Sequence, residues 1–336
     1  MFNNKTILIT GGTGSFGKKI VKKLLKNYKP KKIIIYSRDE LKQYNLQMEL
    51  AKFKKILRFF IGDVRDLPRL KKSLENVDYV VHAAALKHVP VAEYNPFEAV
   101  KTNIVGTQNV VDAALEQRVE KVISLSTDKA SSPVNLYGAT KLTADKLVVA
   151  GNYHKGVATT KLAVVRYGNV FGSRGSIVPY LLNFNQDNKF PVTDLSMTRF
   201  NITLNDSVEF VLKCFANMWG GEIFIPKLPS YRLADLVTAL SKNIKIKIIG
   251  IRPGEKIHEE MISINDALNT LECKDRYIIC PSPQFTNWNI KKYKEKFKAK
   301  KCKDNFSYSS DKNNFLKIGE LKRMVKDNFK DFELGN

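Results

Sequence analysis

TILITGGTGSFG (Thr6–Gly17) passes from a short apolar run into a glycine-rich turn, and the amphipathic stretch KKIVKKLLK follows it. Small residues at this point let the backbone turn tightly and approach a pyrophosphate, which binds to the free N–H groups at the helix N-terminus. The order of strand, turn and helix therefore predicts a dinucleotide site rather than a tight turn alone. The residues expected to contact the dinucleotide here are Gly11, Thr13, Gly14, Ser15, Phe16 and Gly17.

Apolar runs alternate with amphipathic stretches through the first half of the chain, which predicts βα units on a parallel sheet. The expected strands are Thr6–Thr10, Lys32–Tyr36, Arg58–Gly62, Tyr79–Ala83, Lys121–Ser126 and Leu162–Tyr167. We therefore predict an α/β fold with a doubly wound parallel Rossmann sheet and a smaller mixed α/β C-terminal lobe. The expected domains are a dinucleotide-binding domain at 1–171 and a substrate-binding lobe at 172–336, with the segment 199–218 returning to the first domain.

Length and composition are those of a globular enzyme-sized chain, since 336 residues suit one large core and a smaller lobe. Apolar runs stay shorter than the roughly 18 residues of a membrane span, and no leader pattern precedes the first strand, so we expect a cytoplasmic protein without membrane contact. The spacing of the four cysteines and four histidines predicts no metal site.

The net charge of +23 raises the alternative of a nucleic-acid partner. The lysines are scattered, however, and those of the dense run Lys291–Lys303 fall on both faces of any helix. We therefore expect a solvated lysine-rich surface and no nucleic acid.

Ser37 and Arg38 follow the second strand, where a protein specific for NAD presents a carboxylate to the ribose. A hydroxyl and a guanidinium suit a 2′-phosphate, so NADP is favoured over NAD, with Asp39 as a ribose ligand being the alternative. We expect Asp63 to reach the adenine and Val64 to lie beside it. Small side chains at the end of the fourth strand, including Ala83, leave room for the dinucleotide.

Tyr137 and Lys141 are spaced i and i+4, so they share one face of a helix. Such a lysine, with a positive nicotinamide nearby, is expected to lower the phenol pKa from about 10 toward neutrality. The cluster Ser126-Thr127-Asp128-Lys129 ends the preceding strand and offers a hydroxyl, a carboxylate and an amine to one substrate. A polar loop with a solvated ion pair is the alternative.

These motifs resemble the extended short-chain dehydrogenase/reductase family over nearly the whole chain. The segments that carry the resemblance are TGGTGSFG, GDVRD, TNIVGT, STDKA, YGATK and RYGNVFGSRGS. Within that family, STDKA together with AALKHVPVAEYNP, MTRFNITL and IGIRPGEKIHEEM is similar to the inverting 4,6-dehydratases of UDP-N-acetylglucosamine.

The resemblance implies oxidation at C4 of the sugar, loss of water across C5–C6, return of hydride to C6 and inversion at C5. Tyr137 and Lys141 act at C4, Asp128 protonates the leaving C6 hydroxyl, and Lys129 removes the C5 proton, with Tyr137 as the alternative base. For this role, burial or nearby positive charge must lower the lysine pKa. Thr127 joins the catalytic set.

By the same resemblance, further cofactor contacts come from Lys87, Thr102, Tyr137, Lys141 and Val170. The substrate contacts are Lys87, Asn169, Arg174, Ile177, Thr193, Arg199 and Arg252, with the arginines suited to the diphosphate. The resemblance also implies a homo-oligomer, such as a hexamer, and a first step in pseudaminic acid synthesis for flagellin glycosylation.

Two other functions stay open on the sequence. A UDP-hexose 4-epimerase would return hydride to C4 without losing water. A non-enzymatic NADP-sensing or polyanion-binding protein would keep the fold without the chemistry.

Overall fold

The computed structural model of the chain describes residues 1–173, 177–182, 189–240, 245–285 and 288–329. The six strands predicted in the first half are present, each with ends within one residue of the prediction. The strands are β1 (Thr6–Thr10), β2 (Lys32–Ser37), β3 (Leu57–Ile61), β4 (Tyr79–His82), β5 (Lys121–Thr127), β6 (Lys161–Tyr167), β7 (Asn169–Val170), β8 (Phe190–Val192), β9 (Thr198–Ile202), β10 (Ile223–Pro226), β11 (Ser230–Arg232), β12 (Ile246–Ile248), β13 (Glu260–Ile262), β14 (Thr270–Glu272), β15 (Arg276–Ile279), β16 (Lys300–Lys301) and β17 (Tyr308–Ser309).

The central sheet has ten strands among the described residues, in the order β16-β14-β15-β10-β6-β5-β4-β1-β2-β3. Strands β1 to β6 and β10 pair in parallel, whereas β14, β15 and β16 extend the sheet with antiparallel pairs. The strand order reverses between β1 and β4, and ligands of doubly wound sheets bind outside the carboxyl ends of the strands at such a point. The predicted fold class is confirmed.

Helices cover both faces of this sheet. They are α1 (Ser15–Asn27), α2 (Glu40–Glu49), α3 (Leu67–Ser73), α4 (Val89–Tyr94), α5 (Pro96–Ala99), α6 (Gly106–Glu116), α7 (Leu136–Gly151), α8 (Ile177–Leu182), α9 (Leu204–Asn217), α10 (Leu233–Leu240), α11 (Ile264–Ala267), α12 (Ile290–Phe297) and α13 (Ile318–Asn328). In α1 the buried Ile20, Val21 and Leu24 follow helical spacing and share one hydrophobic core with Val208 and Val211 of α9.

The C-terminal half combines strands of the central sheet with three smaller sheets, β11-β9-β7, β12-β8 and β13-β17. Helix α9 lies against α1, where Lys23 Nζ is 2.6 Å from Glu209 Oε1. The central sheet thus crosses the expected boundary at residue 171, and the division into two domains stays a prediction. Within the described ranges no helix is both long and apolar enough to cross a bilayer.

A buried hydrogen-bond chain joins β1 and β4 beneath the glycine-rich turn. Thr107 Oγ1 donates to the carbonyl of Asn103 (2.6 Å) and therefore accepts a hydrogen bond from His82 Nε2 (3.1 Å). His82 Nδ1 then accepts from Thr10 Oγ1 (2.8 Å), which in turn accepts from the main-chain N–H of Ala83 (3.1 Å). These hydrogen bonds hold the imidazole in a single tautomer. Burial and the nearby Lys141 lower the pKa of His82 to about 3, which keeps the ring neutral.

We expect His82 to remain neutral in the folded chain down to about pH 3 and to make the fold acid-sensitive. A histidine in the unfolded chain has a pKa near about 6.5. The unfolded chain therefore binds a proton that the folded chain excludes. The resulting contribution to the free energy of unfolding is fully present above the pKa of the unfolded histidine and is lost as the pH falls toward 3. The loss is roughly 3 kcal/mol between pH 7 and pH 4. Ring ¹⁵N NMR measures the protonation of His82 as the pH is lowered, with the exposed His154 as the reference. Protonation of His82 near pH 6 would contradict the prediction.

Candidate active site

A cleft of about 710 Å³ opens at the carboxyl ends of the central strands. The structure brings to its walls all sixteen residues that the sequence interpretation assigned to the cofactor, from Gly11 of the first turn to Val170 of β7. Thr127, Lys129 and Asn169 line the same cleft. The topological switch point, the glycine-rich turn and the polar end of β5 therefore belong to one site.

The glycine-rich turn needs its glycines. Gly11 has φ +64°, and a Cβ there would lie 2.9 Å from the backbone of Ala83 and Ala84 at the end of β4. A Cβ on Gly17 would lie 2.5 Å from Gly12 Cα, so Gly17 lets α1 begin directly against the turn. The turn thus leaves a backbone surface open at the start of α1, where free N–H groups favour an anion.

Polar side chains gather where β2 ends. Thr13 Oγ1 and Ser37 Oγ are 2.8 Å apart, and the half-exposed Arg38 lies 3.5 Å from Asp63 Oδ2. Asp39, the alternative ribose ligand, caps α2 by accepting a hydrogen bond from Lys42 N (2.9 Å) and also pairs with Lys42 Nζ. Lys42 lines this end of the cleft and was missed by the sequence interpretation.

Asp63 is held mainly by Arg65 and not by Arg38, the arginine that was predicted to bind a 2′-phosphate. Its carboxylate accepts hydrogen bonds from Arg65 Nε (2.9 Å) and Nη2 (2.7 Å). Burial tends to raise the pKa of Asp63, but Arg65 outweighs it and holds the pKa below its usual range. The adenine contact expected of Asp63 stays a prediction.

The catalytic candidates lie on a short 3-10 turn (Asp128–Ala130) after β5 and at the start of α7. Asn135 begins α7, because its side chain accepts a hydrogen bond from Gly138 N (2.8 Å). A Cβ on Gly138 would clash with the carbonyl oxygen of Lys129. Glycine next to Tyr137 therefore lets the helix pack directly on the turn that carries the acid and the amine.

Lys129 Nζ lies among three oxygen atoms. It is 3.1 Å from Asp128 Oδ1, 3.0 Å from Glu259 Oε1 and 3.3 Å from Asn169 Oδ1. Asp128 is fully buried, and its Oδ1 also accepts from Thr127 Oγ1 (2.9 Å). Its other oxygen, Oδ2, is buried without a hydrogen-bond partner among the described residues. The pair is therefore a buried cluster and not the solvated loop of the alternative interpretation.

The charge state of Lys129 in the chain by itself differs from the one that a base role requires. Burial tends to lower its pKa, but the carboxylates of Asp128 and Glu259 outweigh burial and raise the pKa above its usual range. The role of Lys129 as the base stays a prediction. Burial, together with Glu259, raises the pKa of Asp128. A raised pKa suits a carboxyl group that must carry a proton.

Tyr137 and Lys141 both line the cleft. Burial raises the pKa of Tyr137 to about 12, although the charge of Lys129 and a hydrogen bond to Thr127 act in the opposite direction. The predicted lowering of this pKa requires the nicotinamide charge as well as Lys141 and stays a prediction, because in the chain by itself burial is the largest effect. Burial also lowers the pKa of Lys141, which Asp145 partly opposes.

The predicted substrate residues fall into two groups. Lys87 and Asn169 line the main cleft, whereas Arg199 and Arg252 line an adjoining cavity of about 160 Å³ that shares Lys129 with it. The Arg199 guanidinium donates to the carbonyls of Thr198 (2.7 Å), Ile257 (2.9 Å) and Lys256 (3.0 Å). It therefore anchors the segment before β13.

The remaining predicted substrate residues either do not line the two cavities or lie outside the described residues. Thr193 is buried, and its Oγ1 donates to Glu255 Oε2 (2.9 Å). Ile177 begins α8 and packs on the small C-terminal core, and Arg174 lies outside the described residues. Substrate contact by these residues stays a prediction.

Glu259 is the main residue that the sequence interpretation missed. Its side chain is almost fully buried, and Oε1 lies 3.0 Å from Lys129 Nζ and 3.6 Å from Arg199 Nε. The signal available was the acidic segment IGIRPGEKIHEEM, which carries several carboxylates and does not indicate which of them turns inward. Within the described ranges, no group of three His, Cys, Asp or Glu side chains could hold a metal ion.

The doubly wound sheet, the glycine-rich turn and the Tyr137–Lys141 pair after an acid/amine cluster define the class of extended short-chain dehydrogenases/reductases. The chain belongs to the polysaccharide biosynthesis protein family, whose model matches residues 7–281. The inverting UDP-N-acetylglucosamine 4,6-dehydratase of Campylobacter jejuni is 56% identical over 319 residues, which are 93% of this chain and 94% of that protein.

Two further comparisons agree with this family. The UDP-glucose 4-epimerase of Rickettsia canadensis is 43% identical over 288 residues, covering 83% of this chain and 84% of that protein. The X-ray structure of Pen from Bacillus thuringiensis has a TM-score of 0.87 at 44% identity, covering 98% of this chain and 99% of that chain.

Proposed function

We propose that this chain is a hydro-lyase that removes water from UDP-N-acetylglucosamine across C5 and C6 and inverts C5. The product is UDP-2-acetamido-2,6-dideoxy-β-L-arabino-hex-4-ulose. The observation that carries the proposal is that Lys129, Tyr137 and Lys141 line one cleft, with the buried Asp128 paired to Lys129 directly behind it. The identity of 56% with the Campylobacter jejuni enzyme of this name supports it.

NADP is the proposed cofactor, and the residues present fit a dinucleotide. The turn at Gly11 leaves no room for a Cβ, and the hydroxyl of Thr102, which lines the cleft, is buried without a partner among the described residues. Ser37, Arg38 and Lys42 lie together where a 2′-phosphate would bind, and Asp39 is engaged in capping α2. Such a cofactor supplies reversible hydride transfer to and from the sugar.

In this proposal Tyr137 takes the proton of the C4 hydroxyl. In the proposal the buried Lys141, one helical turn further along α7, assists the phenol, and the charge of Lys129 acts to lower the phenol pKa. A hydrogen bond to Thr127 opposes the rise in the phenol pKa that burial causes. Oxidation at C4 makes the C5 proton acidic, which prepares the elimination.

The elimination needs a neutral amine at Lys129 and a protonated carboxyl at Asp128. A proton passing from Lys129 Nζ to Asp128 Oδ1, 3.1 Å away, converts the ion pair into these two forms. The amine then takes the C5 proton while the carboxyl gives its proton to the C6 hydroxyl, which leaves as water. Proton count and charge balance, since the ammonium and the carboxylate are regenerated together.

The decisive experiment is incubation of the purified protein with UDP-N-acetylglucosamine in heavy water, with NMR and mass spectrometry of the product. We expect loss of one water molecule, deuterium at C5 and the L-arabino configuration. A product of unchanged mass with galacto configuration would identify a 4-epimerase. That alternative is kept because relatives 43% identical bear the 4-epimerase name.

Arg38→Ala is expected to weaken NADP binding by about 10- to 100-fold while changing NAD binding little, because the guanidinium binds phosphate oxygens through charged hydrogen bonds. Isothermal titration of both dinucleotides measures this difference. Arg323→Ala is the matched control, since Arg323 is exposed on α13. Equal losses for NAD and NADP in Arg38→Ala would exclude a 2′-phosphate site at this position.

The homo-oligomer and the role in pseudaminic acid synthesis for flagellin glycosylation stay predictions from the resemblance, and the cytoplasmic location stays a prediction from the pattern of apolar residues.

A further inference from the structure

We propose that Glu259 is a positioning residue of the elimination, which holds Lys129 Nζ in place and sets the protonation of the Asp128–Lys129 pair. The inference rests on the proposed function, because it assigns a role within that reaction. Glu259 lies in the segment before β13, far along the chain from β5, and the fold alone brings it to the site.

The contacts of Nζ carry the first step of the argument. An ammonium has three N–H donors, and Lys129 faces three acceptors, Asp128 Oδ1, Glu259 Oε1 and Asn169 Oδ1. Each donor therefore has a partner, and the direction of the side chain is fully determined. Without Glu259, one donor loses its partner and Nζ is free to turn away from the cleft.

Glu259 is itself firmly held. Its main-chain N–H donates to Ser310 Oγ (2.9 Å), and its carbonyl accepts from Ser310 N (2.8 Å). Its side chain is 3% exposed, and Oε2 is buried without a hydrogen-bond partner among the described residues. A carboxylate so deeply buried is costly unless its charge is compensated, and here Lys129 and Arg199 compensate it.

The charges around Lys129 come from several elements. Asp128 adjoins it on the same turn, Glu259 and Lys256 face it from the segment before β13, and Arg199 faces it from β9. The phenols of Tyr137 on α7 and Tyr231 on β11 complete the surroundings. Removing the charge of Glu259 leaves one carboxylate against two cations, so the protonated ammonium is strongly disfavoured.

The test is the pH profile of kcat for water loss in Glu259→Gln, which keeps the shape of the side chain and removes its charge. We expect the whole profile to move to lower pH by about one unit or more, because Asp128 and Lys129 titrate as a coupled pair and both lose a neighbouring negative charge. Glu260→Gln is the matched control. Its carboxylate accepts from Ser132 Oγ (2.8 Å), and its profile should stay at the wild-type position.

A second variant covers the case in which Glu259→Gln does not fold. Glu259→Asp keeps the charge but is shorter by one methylene, so Nζ loses its alignment and kcat should fall about 10-fold or more. The role of Glu259 would be overturned by an unmoved pH profile in a folded Glu259→Gln or by an equal shift of the profile in Glu260→Gln. A wild-type kcat in Glu259→Asp would overturn it as well. A wild-type enzyme that removes no water would overturn the proposed function together with it.

Discussion

Lys129→Ala is expected to slow water loss from UDP-N-acetylglucosamine by about 10²- to 10⁴-fold, the range for removal of a general base. Lys129 Nζ lies at the junction of the main cleft and the adjoining cavity, within hydrogen-bond reach of the acid partner Asp128. The variant should also unfold at a lower temperature, because Asp128 and Glu259 are buried carboxylates that lose their shared cation. Mass spectrometry of the product and thermal unfolding measure the two effects.

The NADP affinity of Lys129→Ala distinguishes a chemical role for Lys129 from a structural one. The cofactor turn lies on β1 and α1, so NADP affinity of Lys129→Ala should stay near the wild-type value. Lys146→Ala is the control, since Lys146 is exposed on α7. Water loss at the wild-type rate in Lys129→Ala would mean that another group takes the C5 proton, and Tyr137 is the candidate that the sequence left open.

Tyr137→Phe is expected to stop the reaction one step earlier, again by about 10²- to 10⁴-fold. The phenol is the group placed to accept the C4 hydroxyl proton, and phenylalanine preserves its ring without the oxygen. Lys129→Ala should still form reduced nicotinamide when mixed with substrate, because C4 oxidation precedes elimination, whereas Tyr137→Phe should form none. Rapid-mixing absorbance spectroscopy distinguishes the two variants.

Tyr94→Phe provides the comparison for this substitution, because Tyr94 lies on α4 and is 88% exposed. It should retain the wild-type rate. Formation of reduced nicotinamide by Tyr137→Phe at the wild-type rate would remove Tyr137 from the first step and with it the proposed order of events.

Much of the site was predictable because its parts interact with near neighbours in the chain. The turn from Gly11 to Gly17, the cluster Thr127–Lys129 and the pair Tyr137 and Lys141 each act within a few residues. Local geometry then places each part at the end of a predicted strand. Since parallel strands end at one edge of a sheet, the parts come together once the strand order is known.

The charge states were not predictable from the sequence, because in the chain by itself the pKa values of both Lys129 and Tyr137 are raised. A pKa depends on burial and on every charge within a few ångströms, including charges from distant segments. Glu259 raises the pKa of Lys129 from a segment before β13, and burial outweighs positive charge at Tyr137. Neither effect is visible in the spacing of residues.

The sequence by itself determined the class of fold, the glycine-rich turn and which residues carry acid, amine and phenol groups, because these follow from short-range patterns. Tertiary structure decided that Arg199 anchors a loop through the main-chain carbonyl of Ile257 and that Glu259 reaches Lys129. The physical reason is that such contacts join positions far apart in the chain. Only the packing of the folded chain determines which charged side chain turns inward and which groups it contacts.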